Sequence, residues 1–202
     1  MNKLMVDFSN LHFNEPSDSE KIKLMIYPDI KSHHNAVDEQ WHHNSDWCIA
    51  NFWEEDNSLK MVSFNNPGPM HTKASAINSS KTVLTWGLMY SNNKLYPSWL
   101  TLGLGLYEGE AYSRDLIYKY LVNDDVFEIL PLSQLEPELK ENPDRSVLVS
   151  YYVLVKYLAN HWKWDKVLAL LENYSDFESI LGISKEDFRK ECIQFYQSNN
   201  EK

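Results

Sequence analysis

The sequence predicts an α+β chain, a small N-terminal antiparallel or mixed sheet followed by a helical C-terminal half. Three observations predict it. Before Pro67 the apolar patterns are mostly strand-like. After it, apolar residues recur at helical spacing. Between the two stands Asn65-Asn-Pro-Gly-Pro69, a stiff loop that cannot continue a strand. The expected organisation is one domain over 1–202, with about 20–69 mainly β and 70–202 mainly α.

Each element has its own reason. Ile22, Leu24 and Ile26 share one face of a half-buried strand, which Pro28-Asp29 ends. The segment from Ser32 to Asn44 can hold a short helix. Residues 46–54 form a second strand, Glu55-Asp-Asn57 supplies turn chemistry, and Leu59 to Phe64 follows as a third, so the pair reads as a hairpin. Thr82 to Tyr90 is apolar without strand alternation and reads as a helix. Pro97 suits the start of the next helix, Ser98 to about Tyr107. Glu110 to Val122, Arg145 to Asn160 and Trp164 to Glu172 carry helical apolar stripes. In the last helix Ser184 is the cap, Phe188, Cys192 and Phe195 form the stripe, and Glu186–Lys190 is an i, i+4 pair.

Composition narrows the function. The chain has 202 residues, 43% of them hydrophobic and 24% charged, an ordinary globular balance that excludes a disordered or fibrous chain. A net charge of −10 repels phosphate backbones and anionic lipid surfaces, so neither nucleic acid nor membrane is an expected partner. The apolar run in Met1–Phe8 is too short for a secretory signal, and Cys48 and Cys192 have no CxxC spacing. The expected address is the cytoplasm, with both thiols reduced and buried. Aromatic residues reach 13%, with 7 Trp, which fits a bulky core or a recognition surface.

One stretch is distinctive: Asn92-Asn-Lys-Leu-Tyr-Pro-Ser-Trp-Leu-Thr-Leu-Gly-Leu-Gly-Leu-Tyr-Glu108. It resembles the second metal-ligand helix of gluzincin-type zinc metallopeptidases, the peptidase-MA-like group, which reads roughly P-x-W-L-x-E-G-x-A-x-Y. Pro97, Trp99, Leu100, Gly103 and Tyr107 match. The Asn65–Pro69 loop after a strand is similar to the same group. So are Val153-Leu-Val-Lys-Tyr-Leu158, Trp164-Asp-Lys-Val167 and Gly182-Ile-Ser-Lys-Glu-Asp-Phe188. The likeness covers about residues 20–197, and the order of its motifs is more specific than any one of them. It implies a zincin-like fold.

That family's chemistry needs H-E-x-x-H on one helix, two histidines for Zn²⁺ and a Glu as general base, and a third ligand Glu on the next helix. Here the third-ligand position is Leu102, flanked correctly by Leu100 and Gly103. The first helix falls in Ser79 to Leu88, which has no His, Glu or Asp. All four groups are absent together, so the resemblance implies a scaffold whose site is filled with apolar and small residues. No metal, cofactor or catalytic residue is expected. The resemblance lays a remnant cleft between the helices of Thr82 and Trp99, with His71, Thr82, Trp86, Trp99, Leu102, Tyr151 and Tyr152 as its binding residues.

Other constellations are weaker. Asp38–His42 and Glu39–His43 stand at i, i+4, with His33 and His34 nearby, which could form a displaced metal site or a surface face with local ion pairs. Glu108 and Glu110 point to different helix faces and read as solvated. Gly103-Leu-Gly105 lies inside a helix and is no phosphate loop. The leading expectation is a catalytically inactive peptidase-like module that binds or scaffolds a peptide or protein. Two alternatives stay open: a hydrolase of the same fold with a displaced metal site, and an unrelated α+β protein-interaction module.

Overall fold

The computed structural model describes residues 22–37, 48–53, 57–90, 97–137 and 144–198. Its contacts divide the chain into two units, Met1–Asn93 and Lys94–Lys202. The first unit holds a small mixed sheet and the second is largely helical, so the chain is α+β.

In the first unit β1 (Lys23–Tyr27), β2 (Ala50–Trp53) and β3 (Ser58–Val62) form a sheet in the order β1-β3-β2. β1 runs parallel to β3, and β2 pairs antiparallel with β3, as the hairpin expectation requires. Asn57 closes that hairpin at φ 49. Residues 54–56 of its turn lie outside the described residues. Helix α1 (Ile30–His34) is capped by Asp29, whose carboxylate accepts from the Ser32 N–H at 2.8 Å. The remainder of the expected 32–44 helix, from 38 on, lies outside the described residues.

α2 (Lys73–Tyr90) begins well before the expected Thr82. Its first turns are rich in serine, which hides the helix from a pattern search. The hydroxyls are satisfied locally instead: Ser80 Oγ donates to the Ala76 carbonyl at 2.8 Å and Thr82 Oγ1 to that of Asn78 at 3.2 Å. Thr72 and Ser75 cap the start reciprocally, each side-chain oxygen accepting from the other's N–H. Leu59, Met61, Val62, Phe64, Ala76 and Leu84 are buried together between sheet and helix. Burying a Leu or Met side chain is worth roughly 1.5–3 kcal/mol. Gly87 is where α2 and β2 meet: a Cβ there would run into the Phe52 ring.

The expectation for β1 needs correcting. Leu24 and Ile26 do lie on the core face, in register with Leu59 and Met61. They are not half-buried, however: β1 is an edge strand, α2 packs over β2 and β3, and no residue of β1 is buried.

In the second unit α3 (Ser98–Glu108) is buried on all sides from Ser98 to Leu106, so it is a central helix rather than an amphipathic one. It packs on α6 (Arg145–His161), which Asp144 caps through the Ser146 N–H at 3.1 Å. Between them, α4 (Arg114–Leu121) starts later than the expected Glu110. Glu110 instead adopts φ 46 in the turn after α3, where the Ala111 N–H donates to the Leu106 carbonyl at 3.0 Å. Ser113 then caps α4.

A hairpin absent from the expectation follows, β4 (Val122–Asn123) and β5 (Val126–Phe127), closed by Asp124 and Asp125 with φ of 46 and 64. Next come α5 (Leu132–Leu135), then after α6 the helices α7 (Trp164–Glu172), α8 (Phe177–Leu181) and α9 (Lys185–Ser198). Gly182 ends α8 in the left-handed region at φ 79. Ser184 caps α9 as expected, accepting from the Asp187 N–H at 3.1 Å. The buried stripe of α9 is Phe188, Cys192 and Tyr196; Phe195 lies half-exposed beside it. Glu186 grips Arg189 at 2.7 Å, whereas Lys190 stands at 3.9 Å.

Candidate functional site

The expected cleft residues fall in both units. His71, Thr82 and Trp86 belong to the first. His71 precedes α2, its N–H donating to the Gly68 carbonyl at 3.3 Å and its Nδ1 lying 3.5 Å from Ser75 Oγ. Gly68 needs its φ of 92, and a Cβ there would meet Ile30 at 3.3 Å. Thr82 is buried and Trp86 half-buried one turn later. From Lys73 to Tyr90, α2 carries no imidazole and no carboxylate.

Trp99, Leu102, Tyr151 and Tyr152 belong to the second unit, and all four are buried. Trp99 is interior. Its ring packs edge-on against Tyr174 and 6.0 Å from Phe188, and its Nε1 donates to Tyr174 Oη at 2.9 Å. Tyr174 passes its own proton toward Glu136 Oε1 at 2.7 Å, and Lys185 Nζ donates to the same oxygen at 2.7 Å. Burial and the bond to Glu136 push the Tyr174 phenol far up, so it stays protonated as the donor. This chain of groups ties α3, α5 and α9 together, a structural role that the sequence did not reveal.

Leu102 is 8% exposed. Beside it, Gly103 allows the backbones of α3 and α6 to close, since a Cβ there would stand 2.6 Å from the Tyr151 carbonyl oxygen and from Val155 Cγ2. Tyr152 packs edge-on against Tyr112, and its hydroxyl accepts from Lys156 Nζ at 3.4 Å. Burial raises its pKa.

The displaced-site histidines are partly visible. His33 is fully buried on α1 with its ring 5.8 Å from that of Tyr27, and His34 Nε2 donates to the Cys48 carbonyl at 2.9 Å. His42 and His43 lie outside the described residues. Among the described residues no three His, Cys, Asp or Glu side chains stand close enough to hold a metal ion. Cys48 and Cys192 are both buried and free of any disulfide. No described helix is long and apolar enough to cross a membrane.

Sequence reasoning also missed a cavity of about 340 Å³ in the second unit. Leu121, Phe127, Ile129 and Ile193 line it with Ser150 and Arg189. The Arg189 guanidinium is held by both Glu186 oxygens and by the Ile129 carbonyl. The β4–β5 hairpin forms one wall, so a reading without that hairpin had no cavity to find. Comparison of the chain with family models, curated proteins and solved structures finds no match.

Proposed function

We propose that the chain is a catalytically inactive, gluzincin-like domain that serves as a binding or scaffold module for a peptide or protein. Leu102 carries the reading. The resembled motif places a zinc-ligating Glu at this position, and here an apolar side chain lies 8% exposed in the interior of the second unit. A Leu cannot coordinate zinc, and an unpaired carboxylate in its place would be costly. The composition of α2 supports the same reading, because it offers neither the paired imidazoles nor the carboxylate that a zinc-bound water requires. A net charge of −10 argues against nucleic acid or an anionic membrane as the partner. The two buried, unpaired thiols suit a reducing compartment such as the cytoplasm.

The test is to pass a peptide digest of cellular proteins over the immobilised chain, with and without added zinc. Mass spectrometry then reads both retention and cleavage. Retained, intact peptides are the expected result. Zinc-dependent cleavage overturns the inactive assignment, and absence of any retention overturns the peptide-binding role.

A further inference from the structure

The core face of the first unit's sheet runs off its edge. Leu59 and Met61 are 1% exposed, and their register partners on β1, Leu24 and Ile26, are 47% and 53% exposed. Met25, on the opposite face, is 41% exposed. Among the described residues no strand pairs with the outer side of β1. Backbone geometry says which groups face outward. The Lys23 N–H donates to the Asn57 carbonyl at 2.9 Å, and the Tyr27 carbonyl accepts from the Ser63 N–H at 2.8 Å. In a parallel ladder one residue sends both its groups to the same side, and the next sends both away. Lys23, Met25 and Tyr27 therefore spend their groups on β3. Leu24 and Ile26 point theirs outward.

We propose that β1 is a self-association edge: two copies of this chain pair β1 with β1, antiparallel and centred on Met25, to make one sheet. Three features of the strand select a second copy as the occupant. First, this register sets Leu24 opposite the partner's Ile26, and Ile26 opposite the partner's Leu24. Those are the residues with outward groups, so each pair exchanges both N–H···O bonds. Second, directly opposed residues share a face, so the two Leu24 and two Ile26 side chains come together and cover the apolar step on both sheets at once. Third, the strand's single charge, Lys23, meets the partner's Tyr27 ring; a parallel pairing would place the two lysines side by side. An apolar, unpaired edge is a template for this kind of pairing.

The strand is only five residues long, so the interface is small and the association is weak, with half-dimerisation in the range of about 10–100 μM. Two chains of net charge −10 repel, so added salt strengthens the dimer. The proposal is independent of the functional reading above.

Sedimentation velocity on the full chain tests it, from about 1 to about 300 μM, at low and at moderate salt. The expected result is a monomer–dimer equilibrium that tightens with salt. Ile26→Lys is expected to weaken it about 10-fold or more, by setting a charge against an apolar side chain. Because Ile26 is exposed, the thermal unfolding of that variant is unchanged. Leu24→Lys reads the same edge should Ile26→Lys disturb folding. Val126→Lys, at an exposed apolar site on β5, leaves the equilibrium unchanged. A monomer at every concentration overturns the proposal, as does a dimer indifferent to both β1 variants.

Discussion

Replacing Gly103 by alanine adds one methyl group to the place where α3 and α6 cross. The ideal Cβ position is 2.6 Å from the Tyr151 carbonyl oxygen, 2.6 Å from Val155 Cγ2 and 3.0 Å from the Tyr151 carbonyl carbon. Two of these three atoms are backbone, so no rotamer change removes the clash, and the helices must separate by about half an ångström or more. α3 is buried from Ser98 to Leu106, so the separation loosens contacts along its length. Overpacking of this kind costs about 1–3 kcal/mol. The same substitution gains about 1 kcal/mol from helix propensity, which an open helical glycine would deliver in full. The clash with fixed backbone puts the cost in the upper part of that range, about 2–3 kcal/mol, and the net expectation is a loss of about 1–2 kcal/mol. For a unit of about 100 residues this lowers Tm by roughly 4–15 °C. Urea and thermal unfolding followed by far-UV circular dichroism measure it. Val155→Ala in the Gly103→Ala background should recover part of the loss by removing the Val155 Cγ2 contact, and a double-mutant cycle isolates that part. A Gly103→Ala chain as stable as the parent, or more so, would refute the close crossing.

Four further outcomes follow from particular groups. Asp124 and Asp125 occupy a two-residue turn with positive φ at both positions, where Asn-Gly is the favoured pair. Asp125→Gly should therefore raise the urea midpoint, by about 0.5–1 kcal/mol of stability. Tyr174→Phe removes the acceptor of Trp99 Nε1 and a donor to Glu136, and should cost about 1–3 kcal/mol in the same assay. Leu102→Glu should cost about 3 kcal/mol or more without giving zinc binding by calorimetry, because the carboxylate lands in an apolar interior. Tyr157, whose hydroxyl donates to Glu191 at 3.2 Å, is pushed up to about 12 from 10.0, first by burial and then by the Glu191 carboxylate. The folded state thus prefers the protonated phenol. Its contribution is complete below pH 10 and is lost as pH rises from 10 toward 12. Phenolate absorbance against pH should show this late step, and Tyr157→Phe should lower its amplitude near pH 12 by one phenol's worth.

The parts of the fold legible in the sequence are those where local chemistry and burial agree. The β2–β3 hairpin shows two apolar runs flanking a short polar turn, and α9 shows its cap at Ser184. The parts that were illegible have physical reasons. The first turns of α2 are rich in serine, and Ser80 bonds the Ala76 carbonyl four residues back, so polar residues stand where an apolar stripe would mark the helix. The β4–β5 hairpin uses Asp-Asp where Asn-Gly is the familiar signal. The exposure of Leu24 and Ile26 depends on β1 being an edge, a tertiary fact that alternation does not encode. At the candidate site, an apolar Leu102 could be read directly. That Trp99 is held in the interior by Tyr174 and Phe188 required the packing of α3, α9 and the turn at Tyr174–Asp176.

As proposed, the chain is a peptidase-like scaffold that holds no metal. Elemental analysis tests it most directly, on untagged protein dialysed first against a modest chelator and then against excess zinc followed by buffer. The expected result is a small fraction of one zinc per chain, unchanged by the zinc step. Stoichiometric zinc that survives the final dialysis would contradict it. The histidines at 33, 34, 42, 43 and 71 would then be the ligands to replace.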